Sequence, residues 1–389
     1  MKEMMENGVM TLPLRGRIDA ENAPEQERLI REKIAENGPS GLILDCSELQ
    51  YISSAGLRVL LRLKRTVPDL KLVNVSGEIY EILEMTGFLE ILNVSRAYRT
   101  ISLKGAKMIG QGASGIVYRL DPETIVKVYR NRDSLQEIFR ERELAKRAFV
   151  LGIPTAISYG VVRLEEGGYG TVFELLEAES YAELLQSGKK SVDELAVMST
   201  ALLKQIHAIR GGAEIPPVKK EAISWVKALK GYLPEEAYKK LDGMLEALPE
   251  DDHLIHGDYH IKNLMWQQGE TLLIDMDSLS CGQSVFELAS IYNAYCAFPE
   301  TNPESSRKFL GIPLDSAREL WERSFYHYME DESEAARARM YKQVQLISYM
   351  RIMSRRIRRG GQNTEDGRKE IAYCRGKLVE LLKQVDQLT

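Results

Sequence analysis

Near Lys104 the sequence changes rhythm, and no other feature limits its possible folds as much. Upstream, strand-like and helix-like segments alternate. VMTLPL, GLILD and LKLVNV read as strands, the second a short apolar run of the buried kind. ENAPEQERLIREKIAENG reads as a helix ended by Gly38, and GEIYEILEMTG as one closed by Gly87. Between them, SSAGLRVLLRLKRTV places Leu57, Leu60 and Leu61 on one face and Arg58, Arg62 and Arg65 on another, until Pro68 stops it. This alternation predicts a small α/β domain with helices packed on a sheet. Downstream, AKMIGQGASGIVYRLDPETIVKVYR alternates like strands around a glycine cluster, with a turn at Asp121-Pro122. A helical segment and the strand-like YGTVFELLE follow, and beyond about Ser180 helical periodicity dominates. A sheet-rich piece followed by a helical one predicts two lobes with a cleft between them.

Composition narrows the class. The chain has 389 residues, room for two or three domains, and its 44% apolar and 28% charged residues are those of a globular protein. A formal net charge of −5 gives no electrostatic case for nucleic acid or anionic membrane as a partner. No apolar run reaches the roughly 18–20 residues of a membrane span, and MKEMMENG lacks the apolar core of a secretory signal. Cys46, Cys281, Cys296 and Cys374 are scattered, with no CxxC pair. That argues against zinc or a disulfide framework and predicts a cytoplasmic location.

The glycine cluster GQGASG sets Gly110, Gly112 and Gly115 in a GxGxxG spacing. A dinucleotide-binding fingerprint would open a helix, but IVYRL after Gly115 is strand-like. A strand–glycine loop–strand is a flap that can lay backbone N–H groups over phosphates; the competing reading is an ordinary glycine-rich hairpin. In TIVKVY, Lys127 stands between Val126 and Val128, a single charge suited to phosphate oxygens. On the following helix Glu143 is the preferred partner to steady its ammonium. Glu141, about 200° away around that helix, is the alternative.

The segment IHGDYHIKNLMWQQGETLLIDMD carries most of the chemistry. Asp258 followed five residues later by Asn263 has the base-to-metal-ligand spacing of a kinase catalytic loop. Asp258 would accept the proton of an attacking hydroxyl. Asn263 and Asp275, at the end of an apolar strand, would bind Mg2+, a hard ion that prefers oxygen. His256 and His260 are expected to brace the loop; Gly257 disfavours the helix a zinc-binding HxxxH would need.

These residues resemble the aminoglycoside phosphotransferase/choline kinase family of kinase-like folds. HGDYHIKN matches that family's HGDxHxxN loop and LIDMD its IDxD strand, while FELASIY has Glu287 where the family usually has Asp. LLKQIHAI resembles its Leu-His element, which makes His207 structural. The resemblance covers roughly residues 104–389. It implies an ATP- and Mg2+-dependent phosphotransferase acting on a hydroxyl of a small molecule of the aminoglycoside or choline-like class. It also implies that FELLE is the inter-lobe hinge, with the backbone around Glu174 to Leu176 meeting adenine and Phe173 lining the base pocket. Protein kinases differ: Gly257 replaces the arginine of HRD, DMD replaces DFG, and no APE follows.

The first hundred residues resemble a STAS domain, the module of anti-sigma factor antagonists, through LDCSELQYISSAGLRVLL. In antagonists a serine at the start of this helix is phosphorylated, and Ser54 matches it; Ser53 stands where an aspartate is usual. The competing reading is that Ser53 or Ser54 only caps the helix. The expected architecture is therefore an α/β STAS domain (1–103) followed by an α+β bilobal protein-kinase-like fold, with an N-lobe (104–178) and a helical C-lobe (179–389). The alternative function is a protein kinase or partner-switching protein acting on Ser54 or on an anti-sigma-type partner bound through the STAS domain. Two charged stretches stay open. EALPEDD could face a cationic acceptor or be solvated surface. RIMSRRIRRGG, with Arg351, Arg355, Arg356, Arg358 and Arg359, is read as the basic end of a helix whose acidic start is EDESE (330–334), rather than as an anion patch.

Overall fold

The computed structural model describes residues 4–6, 8–112, 115–130 and 135–388. The chain divides into two compact units, Met1–Lys104 with Val161–Tyr169, and Gly105–Gly160 with Gly170–Thr389. Residues 161–169, which the sequence reading places in the N-lobe, thus group with the first hundred residues.

In the first unit, strands β1 (Met4–Glu6), β2 (Val9–Ile18), β3 (Gly41–Ile52), β4 (Leu70–Val75) and β5 (Asn93–Arg96) form one sheet in that order. β1 is antiparallel to β2 and the rest are parallel. Helices α1 (Ala23–Asn37), α2 (Ser54–Thr66) and α3 (Gly77–Met85) are the crossovers that parallel neighbours require. Met10, Leu12 and Leu14 alternate into the core of this unit, where they join Leu42, Leu44, Leu60, Leu63 and Leu83. Pro13 sits at a register shift beyond the stretch of β2 that β1 covers, where a missing N–H costs no ladder bond. The short β6 (Thr100–Ile101) pairs in parallel with Arg163 and Leu164.

In the second unit, β7 (Lys107–Gln111), β8 (Gly115–Arg119) and β9 (Thr124–Tyr129) form an antiparallel meander. Helix α4 (Leu135–Val150) and β10 (Ser158–Leu164) follow, and β11 (Tyr169–Glu174) pairs antiparallel with β9. β9 is buried from Val126 to Tyr129, so Lys127 is enclosed rather than lying on an open face. After β12 (Glu179–Ser180) come helices α5 (Tyr181–Gln186), α6 (Val192–His207), α7 (Val218–Ala228) and α8 (Glu235–Ala247). α5 and α6 both open with a capping box, at Ser180/Glu183 and Ser191/Glu194. Strand β13 (Leu254–Ile255) leads into the loop that holds Asp258, and β14 (Leu264–Gln267) and β15 (Glu270–Leu273) form the hairpin that leads to Asp275. β16 (Ser280–Cys281) closes on β13. Helices α9 (Ser284–Tyr292), α10 (Phe298–Thr301), α11 (Leu314–Tyr328), α12 (Glu334–Arg358) and α13 (Glu365–Leu381) complete the unit. Their core includes Leu195, Leu203, Trp225, Leu264, Trp321, Ile347 and Met350. Among the described residues, no helix is long and apolar enough to cross a membrane.

Candidate active site

The glycine cluster forms a strand–turn–strand. Gly110 lies in β7 opposite Val117, Gly112 N–H donates to Gly115 O at 2.9 Å, and Gly115 opens β8. Ala113 and Ser114 lie outside the described residues. Only Gly115 is demanded by the fold: a Cβ there would lie 2.3 Å from Val128 O, whereas one at Gly112 would meet nothing within 4 Å. β8 carries this flap alongside β9, where Val117 pairs with Lys127.

Lys127 Nζ donates to Glu141 Oε1 and to Asp275 Oδ1, both at 2.6 Å. Burial alone would pull the ammonium's pKa down; the carboxylates of Asp275 and Glu141 outweigh it and raise it above the ordinary lysine value. The partner on α4 is therefore Glu141, not the expected Glu143. Glu143 is exposed and pairs with Arg147 at 3.4 Å. The reason is visible in the packing of α4. Its buried positions are Ile138, Glu141, Leu144, Ala145 and Ala148, an i, i+3, i+6, i+7, i+10 stripe that includes 141 and excludes 143.

The loop around Asp258 is held largely by its backbone. Gly257 has φ +82°, and a Cβ there would lie 2.7 Å from Ser278 O, so no side chain fits. The fully buried Glu287 of α9 accepts from the N–H groups of His256 and of Gly257, the latter at 3.0 Å. Gly257 O accepts from Ser290 Oγ at 2.8 Å and from Arg351 Nη2 at 3.0 Å. His256 Nδ1 accepts from Asp258 N–H at 3.3 Å, which leaves Nε2–H to donate to Ile274 O at 3.2 Å. His260 Nε2 lies 3.5 Å from Asp258 Oδ2. Burial pushes the Asp258 carboxyl up, but His260, His256 and Arg351 overcome it and hold Asp258 well below the usual carboxylate range. Both histidines serve the loop, and His207 is likewise internal, its Nδ1 2.8 Å from Tyr328 Oη.

Asn263 Nδ2 donates to Asp258 O at 2.9 Å, so its side-chain carbonyl is left for another partner. Asn263 O accepts from Ile274 N at 2.9 Å, which ties the loop to the strand end at Asp275. Asp275 has φ +68°, a left-handed conformation that costs a non-glycine residue about 1–3 kcal/mol and is concentrated at functional sites. Carboxylate oxygens of Glu141, Asp275 and Asp277 lie within 4.8 Å of one another. Burial, then the charge of Asp275, raises the pKa of Asp277. Three clustered carboxylates are donors of the kind that suits a hard divalent cation. Of the expected Asn263 and Asp275, the carboxylate cluster contains Asp275; Asp277 joins it there, and so does Glu141, which is bonded to Lys127. The signals for them were the second acid of LIDMD and a glutamate inside the apolar stripe of α4.

At the end of β11, Glu174 N donates to Ile157 O at 2.9 Å and Leu175 N to Glu123 O at 2.7 Å. Among the described residues no acceptor bonds the Leu176 N–H, which leaves it for a ligand. In the first unit, Ser53 caps α2, its side chain accepting from Gly56 N–H at 3.4 Å, while Ser54 is the exposed first residue of that helix.

This fold and this site define a kinase-like body joined to a sheet-and-helix module of the STAS type. The STAS domain profile matches residues 5–102, and the phosphotransferase enzyme family profile matches residues 105–320. The chain belongs to the phosphotransferase enzyme family and carries an N-terminal STAS domain. The first domain is 32% identical, over 95 residues, to the putative anti-sigma factor antagonist BtrV of Bordetella bronchiseptica; the match spans 23% of this chain and 81% of that protein. The crystal structure of aminoglycoside phosphotransferase APH(4)-Ia is similar with a TM-score of 0.50 at 12% identity, covering 72% of this chain and 93% of that one. That likeness is one of fold.

Proposed function

We propose that the chain transfers the γ-phosphoryl group of ATP, with Mg2+, to a hydroxyl of a small molecule. The supporting observation is the bridge from Lys127 to Glu141 and Asp275, set beside the Asp258–Asn263 pair. It gathers a phosphate cation, metal-binding oxygens and a base from four separate elements. The domain assignment follows: STAS over 1–103, N-lobe over 104–178 and helical C-lobe over 179–389. Gly110, Gly112 and Gly115 would cover the triphosphate. Lys127 would hold its oxygens, and the backbone from Glu174 to Leu176 would meet the base. Asn263 and Asp275, with Asp277, would hold Mg2+, which when bound supplies charge neutralisation at the phosphates. The acceptor oxygen bonds to the γ-phosphorus as the bond to the β,γ-bridging oxygen breaks, and ADP leaves with that electron pair. The acceptor's proton passes to Asp258. With its pKa held low, Asp258 is a weak base; it orients the hydroxyl and takes the proton late, which suits a loose transition state.

Asp258→Asn tests this reading. Turnover should fall by about 10²–10⁴-fold, while calorimetric affinity for Mg·ATP stays close to wild type. Equal loss of both would remove Asp258 from its role. A second reading, phosphorylation of the STAS domain at Ser54, is favoured by that residue's exposure at a helix start, where added negative charge is welcome. Mass spectrometry after incubation with Mg·ATP separates the two. Stoichiometric phosphate on Ser54, absent in Asp258→Asn, would support the second reading and an anti-sigma-type partner.

A further inference from the structure

We propose that the acceptor carries an anionic group, a phosphate or a carboxylate, held by Arg355 next to Asp258. The proposal rests on the phosphotransfer reading above and names the chemical class of its acceptor. α12 is anchored to the Asp258 loop by Arg351, whose guanidinium donates to Gly257 O and lies 5.3 Å from the centre of the Trp225 ring. One turn further along the same face stands Arg355. It is exposed, lies 5.6 Å from the Phe298 ring centre, and among the described residues no carboxylate pairs with it. Burial of its stem, then Arg359 and Arg351, lower its pKa, and Asp258 is the first opposing charge. On the loop itself, Lys262 is exposed and likewise unpaired among the described residues, 6.0 Å from the Phe309 ring centre. Phe309 is exposed and stands edge-on to His260 at 4.9 Å. Two exposed cations, Arg355 and Lys262, each beside an aromatic ring, thus stand on the helix and the loop that Arg351 and Gly257 tie together.

Several carboxylates of this unit are already engaged. Glu370 pairs with Arg356 at 2.7 Å. Glu300 accepts hydroxyl bonds from Tyr349 at 2.7 Å, Tyr373 at 3.0 Å and Tyr292 at 3.3 Å. Glu287 is spent on the loop backbone. In the EALPEDD stretch, Asp252 pairs with Arg210 and Asp251 contacts His253 at 2.6 Å. A polyamine would meet the like charge of Arg355. An anion brought toward both Asp258 and a triphosphate needs such a cation, and guanidinium binds phosphate and carboxylate in the same bidentate geometry.

The test uses the full chain with Mg·ATP and measures ADP release. The anionic probes are glycerol 3-phosphate, glucose 6-phosphate and glycerate. Glycerol and glucose are the neutral controls, and choline and kanamycin the cationic ones. The phosphate and carboxylate arms show which anion is preferred. At least one anionic probe should turn over. Its KM should rise about 10- to 100-fold in Arg355→Gln and further in Arg355→Glu, while KM for ATP stays within about twofold of wild type. Arg337→Glu, about 27 Å back along α12 at ~1.5 Å per residue, should change neither constant. The proposal is overturned by turnover confined to neutral or cationic probes, by an anionic KM that Arg355→Glu leaves unchanged, or by an enzyme that binds Mg·ATP yet uses no anionic probe. Failure of the wild-type chain to bind Mg·ATP would instead refute the phosphotransfer reading, and this proposal with it.

Discussion

Glu141→Gln and Glu143→Gln make the same chemical change two residues apart, and the structure gives them different outcomes. Glu141 is buried and bonded to Lys127, whereas Glu143 is half exposed and, among the described residues, pairs with Arg147 along the helix. Neutralising Glu141 weakens one charge-assisted hydrogen bond, worth about 1.5–3 kcal/mol. Lys127 keeps Asp275, so no buried charge is stranded and the loss should fall within that range. At about 2–4 °C per kcal/mol for a domain of this order of size, the midpoint of thermal unfolding should drop by about 3–12 °C. Lys127→Met should cost more, about 3–5 kcal/mol, because it leaves the Glu141 carboxylate buried without its cation. Neutralising Glu143 removes an exposed i, i+4 pair worth only about 0.3–0.5 kcal/mol. Thermal unfolding without nucleotide measures these terms, and KM for ATP should rise for Glu141→Gln and not for Glu143→Gln. The double-mutant cycle with Lys127→Met isolates the pair: coupling of at least about 1 kcal/mol for Glu141 and near zero for Glu143. A Glu143→Gln effect equal to that of Glu141→Gln, or a silent Glu141→Gln, would refute the packing argument.

Glu287→Ala strands the buried N–H groups of His256 and Gly257, at about 1–3 kcal/mol each. It should lower the unfolding midpoint, while Glu287→Gln, which keeps one acceptor, should lose less stability and show a fall in kcat larger than any change in ATP affinity; equal stability of the two variants would contradict this. His207 is held neutral, since burial, with a smaller push from His253, takes its pKa from 6.5 down to about 3. The unfolded chain therefore binds a proton that the native one refuses, so this contribution is complete above about pH 6.5 and is lost as pH falls toward 3. Urea midpoints measured from about pH 7 to about pH 4 should fall less steeply for His207→Gln than for wild type, and parallel slopes would rule the assignment out.

Sequence disclosed the site where its chemistry is local. Asp258 and Asn263 lie in one loop, and Asp275 ends the hairpin that follows, so their order along the chain is nearly their order in space. The STAS module was legible for a similar reason: parallel strands with helical crossovers keep neighbours in sequence adjacent in the sheet. What was missed depends on facing. Glu141 and Glu143 are equally charged letters on one helix, and only the stripe of Ile138, Leu144, Ala145 and Ala148 says which one turns inward. Arg351 was grouped with its neighbours as the basic end of a helix, and α12 does end there, with Ser333 capping its start. Yet Arg351 alone interrupts the buried run from Ser348 to Ser354. A solitary arginine in an apolar stretch signals a specific partner, here a carbonyl 94 residues away in sequence.

That distant contact separates the residues that do chemistry from those that fix its geometry. Every polar backbone atom of Gly257 is engaged: its N–H by Glu287 and its carbonyl by Ser290 and Arg351. Its left-handed φ and its contact with Ser278 leave no room for another residue. The direction in which Asp258 leaves the chain is thus set one residue earlier, by groups from two helices, α9 and α12. A loop motif alone cannot supply this rigidity, because the groups that impose it arrive from α9 and α12. The same placement gives α12 two roles. Arg351 faces inward and holds the loop, and one turn later Arg355 is exposed. A shift of α12 would therefore be felt at the Asp258 loop through Arg351 and would carry the proposed acceptor contact with it.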